Sequence, residues 1–201
     1  LFLIKQKFNL YHTTGELSRT LANIENYLIE FLPVLGTINN YEHIIGLLKR
    51  DKVQTVYHAA AYRHVLIVEA QPEQGLEKNV FGTMKVVDAA IEAGAENCML
   101  VSSDKAVRPT KSMGATKRIA ELVLHAKVNI HTHIKISMVR FGYLLASSGS
   151  VVPKFEKQIE QGGPITLTDP NITRYFMTIP EAAQLVSCRQ VQLPQVGTYL
   201  C

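Results

Sequence analysis

The chain has 201 residues, 47% hydrophobic and 19% charged, with a formal net charge of +4. That length suffices for one domain with a sizeable core, and that composition excludes a disordered chain. The lysines and arginines are scattered rather than striped, which excludes a nucleic-acid surface and suits a small anionic ligand.

Apolar runs alternate with helical spacing along the chain. LFLI at the start predicts a short strand. From about Leu10 to Leu32 the spacing of Leu17, Leu21, Ile24 and Leu28 predicts a helix. PVLGTI predicts a second strand, YEHIIGLLKR a short amphipathic helix, and VQTVYHAAA a third strand. GLEKNVFGTMKVVDAAIEAG predicts a helix that stops on Gly94. NCMLVSS reads as a fourth strand, Met113 to Lys127 as a helix, and HIKISMVRFG as a fifth strand. VVPKFEKQIEQGG predicts a helix with a glycine stop, ITLTD a short strand, and IPEAAQLVSCR a last helix with Pro180 in its first turn.

Near-continuous apolar strands, each followed by a helix, predict an α/β fold with a doubly wound parallel sheet covered on both faces. Such sheets bind ligands beyond the carboxyl ends of their strands. Three stretches should therefore meet in one crevice: HAAAYRH, SSDK and RFGY. Beyond about residue 150 the pattern is less regular, as expected of a small part that covers a substrate. Three cysteines, Cys98, Cys188 and Cys201, have neither metal-ligand nor redox spacing. They predict reduced thiols in the cytoplasm, with Cys98 in the core and no metal. No apolar run approaches the roughly 18 residues that cross a bilayer.

SSDKAVRPTKSMGATKR carries the chemistry. Ser103, Asp104 and Lys105 offer a hydroxyl, an acid and a base at one strand end, as proton transfer at a sugar or carbonyl requires. A lysine acts as a base only after losing its proton, which partial burial or a second cation such as Lys117 would favour. Met113 stands four residues before Lys117, on the same helix face, and cannot transfer a proton. Ala59, Ala60 and Ala61 are small enough to let a dinucleotide approach the backbone, or to pack a helix tightly. Arg63 and His64 follow as candidates for a phosphate or sugar. Arg174 beside Thr173 could clamp a diphosphate.

In this order VYHAAAYRHV, NVFGTMKVVDAA, SSDKAVRPTKSMGATKRIAELVL, ASSGSVVPKF and NITRYFMTIPEAAQLV resemble the CapD-like UDP-N-acetylglucosamine 4,6-dehydratases of bacterial polysaccharide biosynthesis. These are nucleotide-sugar enzymes of the extended short-chain dehydrogenase/reductase superfamily. The resemblance runs from about Phe8 to Val186, and Met in place of the catalytic Tyr matches the long, membrane-anchored branch. It implies a Rossmann-like fold, NAD or NADP as cofactor and a UDP-sugar substrate. By the resemblance Lys105 is the base at carbon 5 of the sugar. Asp104 is the acid at carbon 6 and a relay for the carbon 4 hydroxyl proton. Ser103 bonds the carbon 4 oxygen, and Lys117 holds the nicotinamide ribose. Ala59, Ala60, Ala61 and Asn79 fall on the cofactor side. Arg63, His64, Tyr143, Val152, Pro153, Thr173 and Arg174 fall on the substrate side.

Departures from the family pattern accompany the match. The first strand and its glycine-rich turn would precede LFLI and are not in the sequence, so residues 1–201 are expected to form a single truncated Rossmann-like domain, with a partial substrate-binding part from about 150 to 201. The acidic residue expected to hold the adenosine ribose falls at about Ile4, Thr37 stands where an Asp is usual, and Tyr143 where an Asn is usual. Relatives commonly assemble, so a homo-oligomer is expected. Two other readings stay open. One is a non-catalytic module that binds a nucleotide sugar or forms an oligomer. The other is a sugar-nucleotide epimerase, which would want Tyr at position 113.

Overall fold

The computed structural model describes residues 2–5, 30–145, 151–167, 169–173 and 175–192. Its centre is a parallel sheet of β3 (Thr55–His58), β4 (Asn97–Ser103) and β5 (Lys135–Phe141), in that order. The register pairs His58 with Leu100 and Ser103 with Phe141. β4 therefore runs three residues past the last pair with β3, and this overhang carries the SSDK turn.

Alternation along the strands divides the core in two. Cys98 and Leu100 of β4, with Ile136 and Met138 of β5, face one layer of helices. That layer is α1 (Tyr41–Arg50), α4 (Gly82–Glu92) and α5 (Ser112–Val128). Met99 and Val101, with Val139 and Phe141, face the other side and pack on Ala182, Leu185 and Val186 of α7 (Ile179–Gln192). Both faces are covered, as the apolar strands require.

Local signals set the helix ends. The Asn40 side chain accepts from the His43 backbone N–H at 3.1 Å and caps α1, whose Ile44, Ile45, Leu47 and Leu48 are buried. α4 presents Val86, Val87, Ala89 and Ala90 to the core and ends where Gly94 turns left-handed at φ +76. α2 (Val65–Ala70) and α3 (Pro72–Leu76) precede it, and one π-helical turn, Glu77–Phe81, joins α3 to α4. Two-residue strands β6 (Tyr143–Leu144) and β7 (Phe176–Met177) pair in parallel near α7. α6 (Val151–Glu160) lies between them in sequence.

The helix expected from Leu10 to Leu32 falls mostly on residues 6–29, which lie outside the described set; its last three residues belong to strand β2 (Glu30–Pro33), which pairs antiparallel with β1 (Phe2–Lys5) apart from the central sheet. Two strand expectations fail. PVLGTI contributes only Pro33 to a strand; a proline has no N–H to extend the ladder, and Leu35 is 98% exposed. ITLTD is not a strand over its described residues. Thr166 instead bonds back to Gln158 of α6, its N–H donating to Oε1 at 3.1 Å, and the Gln158 amide donates to its hydroxyl at 2.9 Å. Among the described residues no helix is long and apolar enough to cross a membrane.

A Cβ at position 94 would meet nothing within 4 Å, so Gly94→Ala should cost only the left-handed backbone, about 1 kcal/mol in urea denaturation. An unchanged midpoint would show that the helix end is free to re-form.

Candidate active site

The buried stripe of α5 reads Met113, Gly114, Thr116, Lys117, Ala120, Glu121, Leu124. The spacing is that of any core-facing helix, yet three of its members are polar. Each meets a specific partner.

Glu121 is fully buried. Arg140 Nε and Nη2 donate to its two oxygens at 2.8 and 2.5 Å. Ser102 Oγ donates at 2.7 Å and Arg118 at 3.0 Å. Burial works to raise the carboxyl, but the hydrogen bonds from Arg140, Ser102 and Arg118 outweigh it and hold it below the usual carboxylate range. Ser102 and Arg140 are register partners, so this carboxylate ties β4 to β5 and both to α5. Arg140 also lines the cavity described below.

Lys117 is 7% exposed and donates to the Val101 carbonyl at 2.9 Å. Burial pushes its amine down to about 8, against a smaller opposing pull from Glu121. Thr116 donates to the Met113 carbonyl at 2.8 Å and accepts from the Asn79 amide at 3.0 Å. The Asn79 amide also donates to Tyr62 O at 3.0 Å and accepts from Tyr62 N at 2.7 Å. Asn79 thus pins the loop after β3 against α5, and its amide is spent on that contact. Thr83 donates to the Asn79 carbonyl at 2.7 Å, which leaves His58 Nε2 as the donor in the 2.8 Å contact with Thr83 Oγ1. Burial first, then Lys117 and Lys78, push His58 down to about 3, so it is neutral.

The SSDK turn stands on this base. Ser103 closes β4 in extended conformation and accepts from the Lys105 N–H at 3.2 Å, capping a short 3-10 turn, Asp104–Ala106. Its hydroxyl donates to Asp104 at 2.9 Å. Lys105 Nζ lies 3.2 Å from the same Asp104 oxygen and 4.3 Å from the centre of the Tyr143 ring. Tyr143 rests against Phe176, ring centres 5.9 Å apart. Asp104, Lys105, Met113, Tyr143, Thr173 and Tyr175 line one cavity of about 870 Å³. A Cβ on Gly114 would lie 2.3 Å from the Lys105 carbonyl oxygen, so only glycine lets α5 start this close to the turn.

The sequence-derived candidates separate accordingly. Ser103, Asp104, Lys105, Met113, Tyr143 and Thr173 meet at or beside the cavity. Lys117 lies behind them, under β4. Ala59, Ala60 and Ala61 follow the end of β3 in the loop that Asn79 pins. His64 lines a second cavity of about 350 Å³ with Tyr62, Ile67 and Gln71, which shares no lining residue with the first; Arg63 is exposed and lines neither. Val152 and Pro153 lie in α6, outside the lining. Arg174 lies outside the described residues. Glu121, Arg140 and His58 were not singled out from the sequence. The available signal was Glu121 four residues past Lys117 on the same stripe. Among the described residues no cluster could hold a metal ion.

A family of polysaccharide biosynthesis proteins matches residues 1–197, and the chain belongs to that family. It is 44% identical over 178 residues to the capsular polysaccharide biosynthesis protein CapD of Staphylococcus aureus, covering 89% of this chain and 29% of that one. It is 46% identical over 158 residues to the probable polysaccharide biosynthesis protein EpsC of Bacillus subtilis, covering 79% of this chain and 26% of that one. The chain thus spans under a third of these relatives' length. Among solved structures, Pen from Bacillus thuringiensis superposes with a TM-score of 0.76 at 32% identity, over 83% of this chain and 51% of that one. MoeE5, solved in complex with UDP-glucuronic acid and NAD, gives 0.75 at 20% identity, over 83% of this chain and 61% of that one, a likeness of fold. The Rossmann-like α/β fold is therefore shown.

Gly114→Ala should cost about 1–3 kcal/mol in denaturant unfolding, because helix and turn must separate; a loss near zero would mean that the turn yields freely. The Lys117 amine gives up its proton near 8 in the fold and near 10.5 when unfolded. Between those values the unfolded chain binds more protons, so stability rises with pH across that window, and below it the full penalty of a buried charge is present. Lys117→Met should be more stable than wild type near neutral pH, with the gap narrowing as pH climbs toward 10.5. A gap independent of pH would remove Lys117 from this balance.

Proposed function

We propose that this segment carries the proton-transfer machinery of a nucleotide-sugar 4,6-dehydratase. It converts UDP-N-acetylglucosamine to the 4-keto-6-deoxy sugar nucleotide in bacterial surface polysaccharide biosynthesis. The observation that supports this most is Asp104 and Lys105, 3.2 Å apart on one cavity, with a thioether and no phenol at position 113.

Moving one proton from Lys105 to Asp104 turns their ion pair into a free amine and a neutral acid, the two forms that the elimination needs. With the hexose oxidised at carbon 4, the carbon 5 proton is acidic. Lys105 takes that proton while Asp104 protonates the carbon 6 hydroxyl, which leaves as water as the carbon 5–carbon 6 double bond forms. A hydride then adds at carbon 6 and a proton returns to carbon 5, so the net change is the loss of one water. Earlier, during oxidation at carbon 4, Asp104 in its ionised form takes the carbon 4 hydroxyl proton and passes it to solvent, since Met113 cannot, and only then receives the Lys105 proton. Ser103 bonds the carbon 4 oxygen. Tyr143 packs under the Lys105 amine and limits where it can swing.

The described residues fit the nicotinamide-ribose side of NAD or NADP. Lys117 is an amine out of water with a single hydrogen bond, to a strand carbonyl, and two further donors for ribose hydroxyls. The alanines after β3 allow close backbone approach. When bound, the cofactor supplies the hydride acceptor and donor. Asn79 serves by holding the alanine-bearing loop. Cytoplasmic location and self-assembly belong to the same reading. The epimerase alternative loses support from Met113, which offers no proton at carbon 4.

The test is turnover of UDP-N-acetylglucosamine, read by mass spectrometry as the loss of water. It would be run on this chain and on a chimera preceded by the Staphylococcus aureus relative's residues upstream of the matched segment. Lys105→Ala should lower turnover by about 10²–10⁴ and leave UDP binding intact. Unchanged turnover would take Lys105 out of the mechanism.

A further inference from the structure

Five charged side chains line the large cavity: Asp104, Lys105, Arg108, Lys111 and Arg140. Two of the cations are matched by carboxylates, Arg140 by Glu121 at 2.5 Å and Lys105 by Asp104 at 3.2 Å. Among the described residues Arg108 and Lys111 have no ion-pair partner. Glu69 comes near, but its carboxylate accepts from the Ser112 backbone N–H at 2.8 Å.

Arg108 is also held at φ +45, a left-handed conformation that a long side chain rarely adopts and that is strained. It stands directly before Pro109, whose ring fixes the loop that follows. Both residues are exposed, and they line the same cavity as Asp104 and Lys105.

We propose that Arg108 and Lys111 form an anion-binding arm that takes the diphosphate of the nucleotide sugar while its hexose meets Asp104 and Lys105. Two unmatched positive charges answer the two negative charges of a diphosphate. The Arg108 guanidinium offers a planar fork for two phosphate oxygens, and Lys111 a point charge. The identity of the anion rests on the nucleotide-sugar reading; the anion site itself rests on the charges and the cavity.

Calorimetric titration of the purified chain with inorganic pyrophosphate, and separately with UDP-N-acetylglucosamine, at low and high salt, tests this. Wild type should bind both, more weakly at high salt. Arg108→Gly with Lys111→Ala should weaken both by at least about tenfold. Lys111→Glu alone, an exposed change that leaves the backbone untouched, should do the same, and Arg108→Gly alone should raise the melting temperature while lowering affinity. Pyrophosphate binding that is lost in the variants, without binding of the sugar nucleotide, would keep the arm and overturn the nucleotide-sugar reading. No pyrophosphate binding by wild type, or variants that bind it as wild type does, would overturn the arm whatever turnover shows.

Discussion

One buried carboxylate, Glu121, fixes the geometry on which the rest depends. It gathers a serine from β4, an arginine from β5 and an arginine from its own helix, so the ends of two strands and the helix above them cannot move independently. Ser102 is adjacent to Ser103, and the Asp104–Lys105 turn inherits its position directly. Removing one member of such a buried pair costs about 3–5 kcal/mol, because the other charge is stranded. The Asp104–Lys105 pair is of a different kind: both side chains are partly open to solvent, where ion pairs are worth about 0–1 kcal/mol. The strong pair holds the frame, and both members of the weak pair line the cavity.

The same division runs along α5. A stable helix would fill its inner face with leucine and alanine. This one spends three inner positions on Thr116, Lys117 and Glu121 and a fourth on a glycine. Gly114 gives up helix propensity for closeness to the Lys105 backbone, and Lys117 accepts the penalty of a charge out of water. Each choice departs from simple apolar packing and fixes where the helix meets the SSDK turn, β4, β5 or the residue that holds the loop after β3.

Much of the frame was legible in the sequence because its signals are local. NCMLVSS is β4 residue for residue, YEHIIGLLKR is α1, and the helix expected from Met113 to Lys127 runs one residue longer at each end. Gly94 stops its helix as its position implied. The misreadings arose where short apolar stretches carry no period. PVLGTI and ITLTD look like strands until a proline or a side-chain hydrogen bond takes over, and β6 and β7 are too short to show alternation. Within the site, Asp104 and Lys105 could be picked out as neighbours in sequence. The partners of Glu121 could not, because Ser102 and Arg140 each lie 19 residues away and meet it only through the sheet register. Nor does sequence reveal that Arg108 is left-handed.

The π turn at Glu77–Phe81 bears on how this architecture tolerates change in length. A π turn holds one residue more than the α-helical turns around it. Deleting one residue there would relax the coil to ordinary winding and leave the helix on either side close to its present phase, because the wide turn absorbs its extra residue locally. Asn79 grips Tyr62 and Thr116 from within that turn, while Thr83 meets His58 just beyond it on the regular helix. The bulge thus gives the loop clasp its own local geometry while the histidine contact keeps the phase of the helix that follows.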